Sequence, residues 1–225
     1  NGFNSLFATS SIKAARAYYQ EFKRQQADLP EARRLSVGII YSYAPNAEAP
    51  GTGLLSEESM DPSALSQDDR AFLDEAIADY NQQFGTNYGS DASGFESYYE
   101  SLSQALTDKR IDLVIVVDMF LTGFDSKSLN TLWVDKNLRA HGLIQAFSRT
   151  NRILNSVKTY GNIVCFRNLE DATNDAIALF GNKEARGQVL LRPYGEYLST
   201  YLGVIEQLRI DFPLPIGSIA SEKEQ

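Results

Sequence analysis

The sequence has one cysteine, one histidine and no long apolar run, and each scarcity excludes a class of protein. A single cysteine cannot form an internal disulfide, so Cys165 fits a reducing compartment; its place in the apparent strand GNIVCF predicts a small buried residue. No run approaches the roughly 18 apolar residues that cross a bilayer, and no secretory signal opens the chain. We therefore expect a soluble cytoplasmic protein with no membrane partner.

Two phosphate-binding patterns are also missing. The chain contains no Gly-x-x-x-x-Gly-Lys-Ser/Thr loop to cradle phosphates, and no Asp-Glu pair follows a strand in the manner of a magnesium-binding motif. No cluster of Asp, Glu and Lys follows a nuclease pattern. We therefore expect no metal site, no complete ATPase site and no nuclease site in these residues.

Positive charge is scarce overall but locally concentrated. The net charge of −8 argues against tight binding to nucleic acid, and many acids lie between Glu48 and Glu100. From Lys136 to Leu169, in contrast, every charged side chain is basic. Local fields decide where a phosphate binds, because screening at physiological salt limits their reach to about 8 Å. The basic stretch consists of Lys136, Arg139, Arg149, Arg152, Lys158 and Arg167.

The alternation of apolar runs and helical patterns predicts an α/β fold with a parallel sheet flanked by helices. Predicted strands span Asn4 to Thr9, Leu35 to Tyr43, Ile111 to about Val117, Leu129 to Asp135 and Tyr160 to Phe166. Two helices, Ser66 to Phe84 and Phe95 to Leu106, form a predicted insertion at about 45–110. The sheet domain is predicted to cover 1–168, and a helical extension to cover 169–225.

Two segments carry candidate chemistry. Thr122, Gly123 and Asp125 follow a buried strand, at the end where open α/β sheets bind ligands. Downstream, QAFSRTNR places Gln145, Arg149 and Arg152 at steps of four and three residues, which predicts one polar stripe on a helix. Such a stripe can bind phosphates.

Together these segments resemble motifs V and VI of superfamily 2 helicases and translocases. Motif VI of that family reads Gln-x-x-Gly-Arg-x-x-Arg, and Ser148 replaces its glycine here. More narrowly, MFLTGFD, TLWVDKNL and HGLIQAFSRTNR are similar to the motor (restriction) subunit of type I restriction-modification enzymes, with clear resemblance from Ser5 to Asn168. The resemblance implies a RecA-like fold, namely the second helicase lobe.

The resemblance also implies roles for single residues. Arg152 would be the arginine finger, with Arg149 facing the phosphates of ATP and Gln145 positioning the attacking water. Gly123 would let the backbone approach the nucleotide closely, and Asp125 would contact the ribose or hold the arginines. The implied DNA contacts are Thr122, Ser10 and Ser11. Either serine could also be the N-cap of the first helix.

At the level of the whole molecule, the resemblance implies a fragment of a larger bacterial subunit that translocates double-stranded DNA before cleaving it. ATP and Mg²⁺ would be held mainly by a first RecA-like lobe outside these residues, so the fragment alone is expected to bind neither and to be inactive. Further implied partners are the nuclease domain of the same subunit and the methyltransferase and specificity subunits. The arginines should then be exposed and unengaged in the isolated chain.

Other interpretations of the sequence remain open. The chain could be a regulatory or protein-interaction domain whose arginines form salt bridges, or a flavodoxin-like enzyme, although it has no recognisable cofactor loop. His141 is more simply a residue at the start of a helix than a catalytic group. Trp133 fits core packing better than base stacking, and Tyr41 and Tyr43, near the carboxyl end of a strand, are better candidates than Trp133 for a ligand or DNA contact.

Overall fold

A five-stranded parallel sheet forms the centre of the computed structural model, which describes residues 2–41, 65–154, 156–180 and 194–212. Its order is β2-β3-β1-β4-β5, and all four pairings are parallel. This sheet confirms the predicted α/β class. The strands are β1 (Asn4–Thr9), β2 (Val37–Ile40), β3 (Leu113–Val116), β4 (Leu129–Asp135) and β5 (Asn162–Cys165).

Six α-helices accompany the strands in the described part of the chain, together with a 3-10 turn at Glu31–Arg33. They are α1 (Ile12–Gln26), α2 (Gln67–Phe84), α3 (Ala92–Thr107), α4 (Ala140–Ser148), α5 (Glu170–Phe180) and α6 (Tyr194–Asp211). The predicted bounds of β1 and β4 are confirmed to the residue. Those of β2 were too wide, and the predicted end of that strand at Tyr43 falls outside the described residues.

The inner strands are continuous apolar runs because both faces of the sheet are covered there. All four residues of β3 are buried, and β1 lies between β3 and β4, with Ala8 paired to both Val116 and Val134. Burial of this apolar surface is the main contribution to stability, at about 25 cal/mol per Å². The parallel register also places the carboxyl ends of β1, β3 and β4 side by side, so the turns that follow them share one edge of the sheet.

The two helices of the predicted insertion, α2 and α3, are both capped and belong to the same core as the sheet, whereas the residues of the insertion before Leu65 lie outside the described part of the chain. Ser66 caps α2 by accepting a hydrogen bond from the Asp69 amide, and Asp91 caps α3 in the same way through the Gly94 amide. Tyr80 and Tyr98 of these helices are buried in the core, and the Tyr98 hydroxyl donates to the carbonyl of Ile39 at 2.7 Å. α2 also forms ion pairs with α1, so the insertion is a structural part of the sheet domain.

Contacts divide the chain into two compact units, residues 1–184 and 185–225. The first unit holds the sheet and helices α1 to α5, and α5 packs against α4 within it. The second unit includes α6. Among the described helices, none has the length and apolar character needed to span a membrane.

The outermost strand, β5, is exposed, although its segment was predicted to contain a buried cysteine. It pairs only with β4 in the described sheet, and all four of its residues are exposed. The prediction of a buried Cys165 is therefore wrong: its thiol lies on an exposed edge strand. Side chains project from the two faces of a sheet, and at this edge strand neither face is well covered; the apolar character of the segment cannot reveal this.

Candidate functional site

The turn after β3 runs from Val117 to Asp125 and has an unusual backbone. Phe120 and Gly123 have φ angles of +64° and +68°, in the left-handed region. Glycine adopts this region freely, whereas a phenylalanine there costs on the order of 1 to 2 kcal/mol. Phe120 is held by ring contacts with Tyr99 of α3 (4.8 Å between centroids) and with Phe124 (4.9 Å). The fold thus maintains a strained turn where ligands bind in open α/β sheets.

Gly123 is needed for its backbone angle rather than for close packing. A Cβ at this position would meet no atom within 4 Å, and the residue is exposed. The predicted close approach to a nucleotide therefore stays a prediction, and the positive φ is an independent physical reason for the glycine.

Helix α4 brings the second motif to this turn but is shorter than its apolar pattern suggests. Leu143 and Ala146 are buried, which docks the helix on the core. The helix ends at Ser148, whose hydroxyl donates to the Gln145 carbonyl at 2.7 Å. The prediction of one helical stripe is therefore wrong: Arg149 is the C-cap, and Arg152 lies beyond the helix.

Arg149 fastens the end of α4 to the turn after β3. Its guanidinium donates to the Phe124 carbonyl through Nη1 and to the Gln145 carbonyl through Nε at 3.0 Å. The side chain is half-buried, so these bonds satisfy groups that water reaches poorly. The expectation that Arg149 is unengaged is wrong.

Arg152 reaches the same turn from a different direction. Its Nη2 forms an ion pair with Oδ2 of Asp125, and the two side chains are 55% and 49% exposed. The structure therefore shows Asp125 holding an arginine, one of the two roles considered for it. Arg152 is exposed as expected, but it is not unengaged. Because surface ion pairs contribute only about 0 to 1 kcal/mol, Arg152 can exchange partners at little cost.

The predicted DNA contacts lie along the same sheet edge. Ser11 caps α1, with its hydroxyl accepting a hydrogen bond from the Ala14 amide at 3.2 Å, and it is exposed; Ser10 is half-buried. Thr122 is half-buried, and its carbonyl accepts a hydrogen bond from the Phe124 amide at 2.7 Å. Ser10 and Ser11 follow β1 and Thr122 follows the neighbouring β3, so topology brings them to one edge.

Two polar links at this edge were not predicted from the sequence. Lys136, at the end of β4, is buried; its Nζ donates to the Val117 carbonyl at 3.0 Å and pairs with Asp118. Asp135, beside it, accepts hydrogen bonds from Arg167 at 2.9 Å and from the Tyr18 hydroxyl at 3.0 Å. These links join the ends of β3, β4 and β5 and the helix α1. Their only signal in the sequence was a charged pair directly after an apolar strand.

A third link holds the segment after α4. Lys158 is buried, and its Nζ donates to the carbonyls of Thr150 at 2.8 Å and Arg152 at 2.5 Å. Five of the six basic side chains between Lys136 and Leu169 thus have partners inside the fold, and Arg139 is exposed. The basic stretch is mainly a set of internal connections, not a surface of free cations.

The remaining candidates have structural roles. Tyr41 is fully buried and its hydroxyl donates to the Asp69 carbonyl at 2.6 Å, so the prediction of a ligand contact there is wrong; Tyr43 lies outside the described residues. His141, the second residue of α4, packs its ring on Phe180 at 3.9 Å. Trp133 is half-buried against the core, as predicted. Among the residues that the structure describes, no group of three or more His, Cys, Asp or Glu side chains is placed to hold a metal.

The protein is thus a parallel α/β domain. Its candidate site consists of two arginines that contact a strained turn at the carboxyl edge of the sheet. The family model for domain 3 of the type I restriction enzyme subunit R matches residues 1–168. The chain therefore belongs to this family, as its motifs indicated.

Individual relatives agree with the family. A type I restriction enzyme endonuclease subunit of Staphylococcus aureus is 37% identical over 226 residues, which cover 99% of this chain and 23% of the relative. A corresponding subunit of Staphylococcus saprophyticus is 40% identical over 209 residues, covering 92% and 21%. The chain thus spans about a quarter of the length of these relatives.

Among solved structures, the second domain of the DEAD-box helicase Mss116p, bound to an RNA duplex, aligns with a TM-score of 0.40 and 9% sequence identity. The alignment covers 92% of this chain and 65% of that one.

Proposed function

We propose that this chain is the second motor lobe of a type I restriction subunit and supplies motifs V and VI for ATP-dependent translocation of double-stranded DNA. One observation carries the proposal: the segment with Arg149 and Arg152 is docked on the Thr122–Asp125 turn, with the Arg152 guanidinium half-exposed. Family membership adds support, because the named relatives are endonuclease subunits. Translocation, and the cleavage that follows it, belong to the whole subunit.

The chemistry of ATP hydrolysis explains the placement of Arg152. Charge spreads over the oxygens of the terminal phosphoryl group as it departs, and a fixed guanidinium stabilises this change. We assign Arg152 as the arginine finger because its side chain is exposed at the sheet edge and because its ion pair with Asp125 contributes little free energy, so that a phosphate can replace Asp125 as its partner. Arg149, whose guanidinium already binds the Phe124 carbonyl, then keeps motif VI on motif V while also facing the phosphates.

The other nucleotide contacts have supporting roles. We assign Gln145, a half-buried residue of α4, to positioning the attacking water, and Gly123, which is exposed, to the close approach of the nucleotide. Asp125 either contacts the ribose or, as in this structure, holds Arg152. ATP and its Mg²⁺ would be held mainly by the first RecA-like lobe of the same subunit. A half-exposed guanidinium suits such an interfacial role, in which the ligand is shared with a second lobe.

We assign the DNA contacts to Thr122, Ser10 and Ser11, on the same edge. Few cations of the basic stretch are left to bind DNA, because five of its six side chains have partners within the fold and two of these, Arg149 and Arg152, are assigned to the phosphates of ATP. We therefore expect the isolated chain to bind DNA weakly and with strong salt dependence, and to have no ATPase or nuclease activity of its own. The nuclease domain of the same subunit and the methyltransferase and specificity subunits complete the proposed assembly.

The test is Arg152→Ala in the complete subunit. Loss of an arginine finger should lower the ATP hydrolysis rate by about 10³- to 10⁵-fold and abolish translocation. Arg24→Ala is a matched control, because Arg24 is also an exposed arginine in an ion pair, with Glu21 at 2.6 Å on α1. A subunit with Arg152→Ala that still hydrolyses ATP at the rate of the control would refute the assignment.

A regulatory or interaction domain is the second candidate. The exposed apolar residues of β5 and its flanks, Tyr160, Ile163, Val164 and Phe166, favour it. Under this alternative Arg152 would form a salt bridge with a protein partner instead of contacting ATP, so Arg152→Ala would weaken that association and leave hydrolysis unchanged.

A further inference from the structure

Lys158 is a buried lysine with an unusual set of acceptors. It is 2% exposed, and the two hydrogen bonds of its Nζ go to backbone carbonyls, those of Thr150 and Arg152. Burial lowers the pKa of this ammonium group. Removing a charged group from water is unfavourable unless its hydrogen bonds are good, so the position invites a specific explanation.

The backbone around Lys158 is organised to aim the ammonium at these carbonyls. Leu154 and Lys158 exchange two backbone hydrogen bonds, of 3.0 and 3.2 Å, which turn the chain back on itself. Gly161 packs directly on Thr150, so closely that a Cβ there would clash with the Thr150 carbonyl oxygen. The described residues of this segment, 150–154 and 156–161, therefore form a compact loop, which we call the Lys158 loop, with Arg152 in its first part.

Arg152 is consequently held at two points. Lys158 holds its backbone carbonyl, and Asp125 holds its guanidinium. The two attachments differ in kind, since the first is a part-buried hydrogen bond from a buried lysine to the backbone and the second is an ion pair between two half-exposed side chains. An incoming ligand can displace Asp125 while the backbone of Arg152 stays in place.

We propose that Lys158 is a positioning residue that fixes the backbone of Arg152, so that its side chain can reach a phosphate without reorganisation of the loop. The inference rests on the proposed function, because it acts through Arg152. Helix α4 ends at Ser148, and its hydrogen bonds therefore cannot restrain Arg152. The Lys158 loop replaces this missing restraint.

The test is a double-mutant cycle of Lys158→Met and Arg152→Ala in the complete subunit. Lys158→Met keeps most of the side-chain volume and removes the donors. Because a misplacement of about 1 Å can cost around 10²-fold in rate, we expect Lys158→Met to lower kcat for ATP hydrolysis by about 10- to 100-fold. The KM for ATP should change by less than about 3-fold, because Lys158 is buried against backbone carbonyls and is assigned no contact with ATP. Lys158→Gln, which keeps an N–H donor, should recover part of kcat.

The cycle separates positioning from a general structural effect. If Lys158 acts through Arg152, Lys158→Met has no further effect in the Arg152→Ala background, and the coupling equals the whole effect of the single variant. An unchanged kcat, or the same loss in both backgrounds, would overturn the proposal. If Arg152→Ala itself leaves hydrolysis intact, the proposed function has failed, which is a different result.

Folding is checked by circular dichroism melting of each subunit. Should Lys158→Met fail to fold, Gly161→Ala enters the same cycle, because its Cβ displaces the Thr150 carbonyl without changing any charge. A non-additive loss with Arg152→Ala then supports positioning through the loop, and an additive loss contradicts it.

Discussion

Replacement of Arg149 by alanine should destabilise the fold much more than replacement of Arg152, although the two residues are three positions apart. Arg149 is half-buried and its guanidinium donates to two carbonyls, of Phe124 and Gln145. Hydrogen bonds from a charged donor contribute about 1.5 to 3 kcal/mol, and their loss leaves acceptors poorly solvated. We therefore expect Arg149→Ala to lower the free energy of unfolding by about 2 to 3 kcal/mol.

Arg152→Ala is the matched comparison. Its guanidinium pairs with a carboxylate at the surface, where both side chains are about half-exposed, and such pairs contribute about 0 to 1 kcal/mol. The side chain of Lys158 and the carbonyl of Arg152 remain in place, so the loop keeps its anchor. We expect Arg152→Ala to lower the free energy of unfolding by less than about 1 kcal/mol.

Urea denaturation of the 225-residue chain measures the difference. Trp133 is the only tryptophan and lies on β4, so its fluorescence reports unfolding of the unit that contains both arginines. Equal decreases in the free energy of unfolding for the two variants, or a larger decrease for Arg152→Ala, would refute the conclusion that Arg149 stabilises the fold and Arg152 does not.

Two further changes test the contacts around the site. Lys136→Met removes the buried partner of Asp118, whose side chain is 20% exposed, so we expect the free energy of unfolding to fall by about 2 to 3 kcal/mol in the same urea experiment; a decrease below about 1 kcal/mol would contradict the proposed link. Tyr98→Phe should cost about 1 kcal/mol at neutral pH, because its buried hydroxyl donates to the Ile39 carbonyl. Burial raises the pKa of Tyr98 well above 10, so its contribution is full below pH 10 and falls as the pH rises further. Urea titrations from pH 8 to 11 should show that the free energy of unfolding falls less with rising pH in Tyr98→Phe than in the parent chain. The same dependence on pH in both proteins would contradict the assigned role of the Tyr98 hydroxyl.

The elements that the sequence predicted well are those whose own residues determine them. β1 and β4 are apolar runs bounded by turn residues or charges, and α2 begins at a serine cap followed by acids. In each case the local signal and the tertiary packing agree, so the predicted bounds match the observed ones closely.

The end of α4 could not be predicted from periodicity. Gln145, Arg149 and Arg152 keep a helical spacing, yet Ser, Thr and Asn follow Phe147 and compete for backbone hydrogen bonds. In the structure Ser148 and Arg149 both donate side-chain hydrogen bonds to the Gln145 carbonyl. Contact with a turn more than 20 residues upstream then favours the end of the helix at this point. That contact is tertiary, and no pattern within QAFSRTNR encodes it.

The burial of two lysines was equally hidden. Lys136 and Lys158 were predicted only as members of a basic stretch, because lysine is rarely buried without a partner. Their acceptors include the carbonyls of Val117, Thr150 and Arg152. Every residue type carries a backbone carbonyl, so a sequence gives no sign of which ones a lysine will bind.

The hydrogen bonds of Arg149 and Lys158 to backbone carbonyls also keep the site in one arrangement before any ligand binds. Arg149 and Lys158 bind carbonyls in poorly solvated surroundings, and salt weakens such contacts far less than it weakens an exposed ion pair. The pair of Arg152 with Asp125 is the exposed contact among them, so added salt or a competing phosphate should release the Arg152 side chain first. Because the backbone of Arg152 stays fixed, only the rotamers of its side chain have to be ordered when the freed guanidinium meets a new anion. Such preorganisation is what stabilisation of a developing charge requires.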